Sequence, residues 1–191
     1  MRKIVFDIET SNEWTPGAFN PVDLDLAMVC IHDSETNRYE SFTQEELPKL
    51  WPIIEKADML IGYNSDHFDV PLLNKYYPGD LSTIRSLDLL VEVRKVLGRR
   101  LKLDSLAEAT LGRNKIADGL QAVRWWKEGN IEKVREYCIE DVRITKEIYD
   151  YARAHNTLKF KDWNVIREIT LDTADWETPQ EKGSMTHTLP F

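Results

Sequence analysis

Two carboxylates stand two residues apart where the first apolar run ends, in Ile4-Val5-Phe6-Asp7-Ile8-Glu9-Thr10. Side chains at i and i+2 of a strand share a face, so Asp7 and Glu9 project together if this run is extended. Paired acids repel and lose hydration on partial burial, and a hard divalent cation is their natural partner. The same pair also fits the wet end of a solvent-facing strand. Two further acids occupy comparable junctions. Asp69 opens a helical stretch after a short apolar run, and Asp141 follows Tyr137 by four residues in the longest periodic segment, which puts both on one helix face. Four converging carboxylates are unfavourable without metal. With two magnesium or manganese ions they form the oxygen-rich site those ions prefer. Two such ions about 3.5–4 Å apart clamp the attacking and leaving oxygens of an in-line phosphoryl displacement.

The elements that must position these groups follow from periodicity. Residues 4–8, 24–32 and 38–42 read as strands in quick succession, an antiparallel meander with a proline- and glycine-containing loop at 11–23. Thr43 to Glu46 has capping-box spacing, so a helix is expected to start there and to be broken or tilted by Pro48 and Pro52. Residues 58–63 read as a buried parallel strand, followed by a helix to Tyr77 and a short strand at 84–86. Helices are predicted over 87–97, 104–111, 116–128 and 131–154, with Gly98, Gly112 and Gly129 as stops. Residues 158–163 and 165–171 can pair as a hairpin, packed through Trp163 or Trp176. Strands followed by strand–helix alternation indicate an α/β sandwich. The expected division is a main domain over 1–154, an extension over 155–176 and a mobile polar tail over 177–191.

Composition bounds the reading. At 191 residues, with 42% apolar content, one domain with a sizeable core is expected. No apolar run reaches bilayer length, and Asp7 and Glu9 interrupt the N-terminal run before a signal core forms, so a cytoplasmic protein is expected. Cys30 and Cys138 have no metal-type spacing. A disulfide stays open, with reduced core thiols the expectation in a cytosolic protein. A net charge of −8 argues against a general nucleic-acid coat. Yet residues 91–115 hold seven basic side chains against three acidic ones, either a solvated face or a local grip on a phosphate chain.

Three segments together resemble the three motifs of the DEDD superfamily of 3′–5′ exonucleases. The first is Phe6-Asp7-Ile8-Glu9-Thr10, similar to the proofreading domains of B-family DNA polymerases. The second is Asn64-Ser65-Asp66-His67-Phe68-Asp69, and the third is Tyr137-Cys138-Ile139-Glu140-Asp141. Residues 98–112 are similar to the segment between the second and third motifs. Tyr137, four residues before Asp141, places the chain in the tyrosine branch, and His67 is read as a loop residue rather than a base. The resemblance implies a ribonuclease H-like fold, a mixed five-stranded sheet flanked by helices, and removal of nucleoside monophosphates from single-stranded 3′ ends. DNA is favoured, with RNA as the alternative substrate. It implies that Asp7 bridges two metals, that Glu9 and Asp141 complete the one that holds the attacking water, and that Asp69 supports the other through water. Tyr137 would position the attacking water. Substrate contacts would fall to Thr10 and Asn64, and phosphate contacts to Arg99, Arg100, Lys102 and Lys115. Trp14 is either a base-stacking residue or loop packing. A polymerase or helicase is the partner class left open.

Two rivals are weaker. A haloacid dehalogenase-like phosphatase also begins with an apolar strand and an acid pair, but it requires Asp-x-Asp, and Glu9 stands at the second position. A non-catalytic nucleic-acid-binding module would have no need of four intact acids and Tyr137.

Overall fold

The computed structural model describes residues 1–14, 17, 19–113, 119–163 and 165–178. The chain opens as a meander of β1 (Lys3–Thr10), β2 (Leu26–Asp33) and β3 (Arg38–Thr43), each antiparallel to the next. β4 (Met59–Gly62) then adds parallel to β1 on its other edge, and β5 (Ser86–Asp88) adds parallel to β4. The resulting mixed sheet has the order β3-β2-β1-β4-β5, so β1 is central. This is the α/β, ribonuclease H-like arrangement that the motifs imply.

Strand parity divides the core. Ile4, Phe6 and Ile8 face α1 (Leu47–Ile54) and α2 (Asp69–Asn74), whose Leu50, Ile54, Leu72 and Leu73 are fully buried. Val5 faces the other side, with Met28, Cys30, Met59 and Ile61, against α6 (Ile131–His155) through Val134, Cys138, Val142 and Ile148. Asp7 and Glu9 have the parity of Val5, so they turn toward α6. Each fully buried aliphatic chain contributes roughly 1.5–3 kcal/mol, so the phase of both elements is strongly fixed where the acids meet.

Several boundaries differ from expectation. The capping box forms, with the Thr43 backbone N–H donating to Glu46 at 3.2 Å, but it opens a 3-10 turn at Gln44–Glu46 before α1. Pro48 and Pro52 do not break α1. Pro48 sits in the first turn, where an N–H has no intrahelical partner to lose. α2 stops at Asn74 rather than Tyr77. The strand expected at 84–86 lies at 86–88, because Leu81–Thr83 forms a 3-10 turn that Ile84 ends. α3 (Leu89–Leu97) begins two residues late, because Asp88 caps it by accepting from the Leu90 N–H at 2.9 Å. α4 (Leu103–Leu106) continues into a π-helical turn at Ala107–Leu111. α5 spans Gly119–Lys127, and the start expected at Ile116 lies outside the described residues.

β6 (Thr157–Asp162) and β7 (Val165–Thr170) form the anticipated hairpin. Its Leu158, Phe160 and Ile169 join the α6-side core. Trp163 does not pack it: that side chain is 91% exposed, and Trp176 is the buried one, stacked on Tyr149 at 5.9 Å between ring centres. Glu177 accepts from Lys3 and Tyr149, and Arg153 also pairs with it. Residues 179–191 lie outside the described residues.

Gly62 ends β4 under the turn that follows. A Cβ there would stand 2.4 Å from the Ser65 Cβ, and Ser65 is fully buried. Overpacking of this kind costs typically about 1–3 kcal/mol. Gly62→Ala is expected to lower the unfolding free energy by that amount in urea titration, and Ser65→Gly in the same chain to restore part of it.

Candidate active site

The three motif segments meet at the C-terminal end of β1. A cleft of about 360 Å³ opens there, lined by Asp7, Glu9, Asp69, Tyr137 and Asp141 from the motifs and by Trp14, Tyr63 and Asn64 around them. Glu9 is 7% exposed and Asp69 4%. The pair on β1 is therefore not the wet end of a surface strand. At this end the β1–β2 register slips between Glu9 and Thr10, a bulge of the kind that re-aims side chains beside functional sites.

Asp69 is set at the first residue of α2, where its own backbone N–H and that of Ile8, between the two β1 acids, work against the burial that raises its carboxyl. Tyr137 and Asp141 lie one turn apart on α6, close enough for the Asp141 carboxylate to act on the Tyr137 phenol. Burial, followed by the charges of Asp69, Asp141 and Glu9, holds the Asp7 carboxyl well above the ordinary carboxylate range. Burial and then Asp141 do the same to Glu9. Burial and then the nearby Asp88 raise Asp69 from 3.8 to about 8. Tyr137 is also raised, by burial first and then by Asp141, Glu9 and Asp7, so it stays a neutral phenol at physiological pH.

The cleft contains Glu13 in addition to these acids, and among the described lining residues there is no lysine, arginine or histidine. Such a set of oxygen donors fits hard divalent cations and leaves their charge to offset the repulsion. Cys138 joins the set from below: its sulfur is 3.5 Å from the Asp7 carbonyl oxygen and 3.8 Å from Asp7 Oδ2. Cys30 is the cross-strand neighbour of Asp7, and both thiols are buried and free, as expected of reduced core cysteines.

The remaining candidates divide by position. Thr10 and Asn64 line the cleft. The Thr10 hydroxyl donates to the Asn12 carbonyl at 2.9 Å, and the Asn64 side-chain oxygen accepts from Arg100 at 2.6 Å. Trp14 also lines it, half exposed, with its ring edge-to-face with Phe19. Phe68, partly buried, stacks on Phe19 with the centres 6.0 Å apart. His67 is exposed and outside the cleft. Arg99 and Lys102 lie on a neighbouring surface. Lys115 lies outside the described residues.

Two contributors escape sequence reasoning. Asp88 holds the second motif in place, accepting from the backbone N–H of Asn64 at 2.8 Å and of Asp66 at 3.1 Å while it caps α3. Asn64 needs that support, since its φ of 67° is left-handed. An acid placed directly before the apolar run Leu89-Leu90-Val91 is an N-cap signal and could have disclosed it. Trp125 packs edge-to-face on Tyr137, 6.3 Å between ring centres, and fixes the face of that phenol. Trp125 and Trp126 are both partly buried against the same core.

Comparison with known proteins agrees with this fold. A family model described as the RNase H superfamily matches residues 4–153. DNA polymerases of Thermococcus aggregans and Thermococcus litoralis are 25% identical over 81% of this chain, which spans about a tenth of their length (10% and 11%). A family B DNA polymerase from the hyperthermophilic archaeon Pyrobaculum calidifontis matches in structure with a TM-score of 0.62 at 20% identity, over 80% of this chain and 24% of that one.

The raised acids make stability depend on pH. An unfolded Asp69 titrates near 3.8 and the folded one near 8. Between those values the folded chain holds a proton that the unfolded chain has released. The stabilisation is complete below about pH 4 and is lost as pH rises toward about 8. In scanning calorimetry, the metal-free protein is expected to lose Tm across that window, and Asp69→Asn to flatten the decline. Magnesium added at pH 8 should raise Tm, because it binds the folded state alone.

Proposed function

The chain belongs to the RNase H superfamily, and on that premise we propose that it is a metal-dependent 3′–5′ exonuclease. Its substrate is a single-stranded 3′ end, and its product is nucleoside monophosphate. The observation that carries this reading is the convergence of Asp7, Glu9, Asp69 and Asp141 in one cleft with Tyr137 beside them and no basic lining residue among those described.

Asp7, Glu9, Asp69 and Asp141 would hold two magnesium or manganese ions. When bound, these ions neutralise the acids, activate the attacking water and stabilise the leaving oxygen. The protein's own groups do the rest. Asp7 and Glu9, fixed by the parity of β1, present oxygens to one point from a rigid central strand. Asp69, at the first residue of α2, closes the second side. Tyr137 is held as a phenol, so it orients the water by hydrogen bonding and removes no proton. Trp125, packed edge-to-face on its ring, gives it a fixed direction. Trp14 and Phe68 offer apolar surface to the terminal nucleotide, and Asn64 stands at the cleft wall.

DNA is the favoured substrate, because the curated relatives are named DNA polymerases, and a polymerase is the partner class those names point to. A matched RNA strand tests that choice. With 5′-labelled strands of both kinds in magnesium or manganese, a ladder of mononucleotide steps is expected, faster on DNA and abolished by a chelator. Full-length strand surviving in both metals would refute the reading. Asp141→Ala is expected to slow trimming by about a thousandfold or more, the scale of several kcal/mol lost from a metal site. Tyr137→Phe should keep the cluster and lose about 10²-fold in kcat, with little change in KM.

A further inference from the structure

We propose that the tip of the β6–β7 hairpin extends the substrate path, with Trp163 as a stacking platform for a base upstream of the 3′ end. The inference rests on the exonuclease reading and names a contact surface that the three motifs do not contain.

The surface begins at the wall of the cleft. Tyr63 and Asn64 line the acid site, and each is bonded across to the next loop. The Tyr63 hydroxyl donates to the Leu101 carbonyl at 2.9 Å, and Arg100 donates to Asn64 at 2.6 Å. Arg100 and Leu101 in turn line a second, open cleft of about 430 Å³, together with Arg99, Lys102, Lys161 and Trp163. The walls of the two clefts are therefore joined at these contacts, and the path proposed for a strand leaving the first runs along them.

The second cleft has the elements of a single-strand groove, with four cations against the two acids Asp104 and Glu108 and an aromatic face. Arg99, Arg100, Lys102 and Lys161 bring positive charge to a protein of net charge −8. Their internal partners are exposed or partly exposed acids: Arg99 with Asp162 at 3.0 Å and Lys161 with Glu108 at 2.9 Å. Surface pairs of this kind are weak and exchange readily for phosphate. Lys102 has no ion pair among the described residues.

Trp163 is difficult to explain by folding. It is 91% exposed, and its φ of 57° is a left-handed conformation that a bulky side chain rarely adopts. Val165 and Ile166 beside it are also exposed. The hairpin base is fixed independently, by Thr110, which donates to the Lys159 carbonyl at 2.8 Å and accepts from its N–H at 2.9 Å. The tip thus contributes little to the core, and a rigid stem presents its indole to solvent at the end of a basic groove. Any base can stack on such a ring, as trimming without sequence preference requires.

The test compares a strand of roughly a dozen nucleotides, within the span of single-strand grooves, with a dinucleotide that reaches the acid cleft alone. Trp163→Ala should fold normally, since the side chain touches so little. It is expected to raise KM on the long strand about tenfold relative to the dinucleotide, with kcat on the two changing in parallel. Trp163→Phe should recover most of the loss, and Lys161→Ala should reduce the salt dependence of long-strand KM by about one phosphate contact. Equal KM ratios in wild type and Trp163→Ala would overturn the inference while leaving the exonuclease reading intact. So would a tip whose loss changes only self-association in sedimentation, which would mark a protein contact instead. A wild-type protein that trims neither length overturns both.

Discussion

Like charge held at short range inside a fold is the constraint on which this molecule turns. Glu9 and Asp69 are buried and Asp7 is partly so, and the charges around them push every one of their carboxyls up. Such an arrangement opposes folding unless protons or cations neutralise it. The strand and the long helix that carry Asp7, Glu9 and Asp141 are accordingly set deep in the core. β1 is central, and α6 drives a fully buried stripe of Val134, Cys138, Val142 and Ile148 across the same face. Asp88 shows the contrast. It is just as buried, but backbone N–H groups of Asn64, Asp66 and Leu90 converge on it and work against the burial that raises it. One acid is satisfied by the backbone and shapes a loop; the others are left facing one another over a cleft.

Convergence needs two periodicities to agree. The two-residue repeat of β1 sends Asp7 and Glu9 to the α6 side, and the 3.6-residue repeat of α6 sends Tyr137 and Asp141 back. A one-residue slip of β1 would turn both acids toward α1 and α2. Residues on the same strand with no chemical role prevent that slip: Ile4, Phe6 and Ile8 fill one side and Val5 the other. Core packing therefore sets the geometry of the site, and the third motif inherits its aim from residues that never meet substrate.

The same periodicities explain what the sequence discloses. The antiparallel meander, the parallel β4, the long α6 and the hairpin follow from local repeats, and the acid set from motif spacing. What escapes depends on partners distant in the chain. Asp88 looks like any helix cap until Asn64 and Asp66, more than twenty residues earlier, are seen to bond to it. Trp125 is an aromatic on a predicted helix until Tyr137 packs against its edge. Nothing in a stretch of two prolines tells whether the helix continues, because that depends on Leu50 and Ile54 burying behind them. Hydrophobicity alone cannot separate Trp163 from Trp176 either. The first lies at a hairpin corner that no described element covers, and the second rests against Tyr149.

Charge is the property that sequence counting describes least well, and the basic run over 91–115 shows why. Lys95 is paired with Glu92 on its own helix, and Arg113 bridges Glu140 and Glu147 on α6. Those two serve the fold's own acids. Arg99, Arg100 and Lys102 lie where the loop after α3 crosses from the cleft wall toward the hairpin, and their partners there are an amide and a surface carboxylate. A surface pair is worth little in water, whereas a polyanion engages several such cations at once and releases counterions as it does so. The acidic protein thus needs no overall basic charge to retain a strand. A few cations suffice if they stand on one side of a site whose own acids would otherwise repel the incoming phosphates, and that separation comes from the path of the chain rather than from its composition.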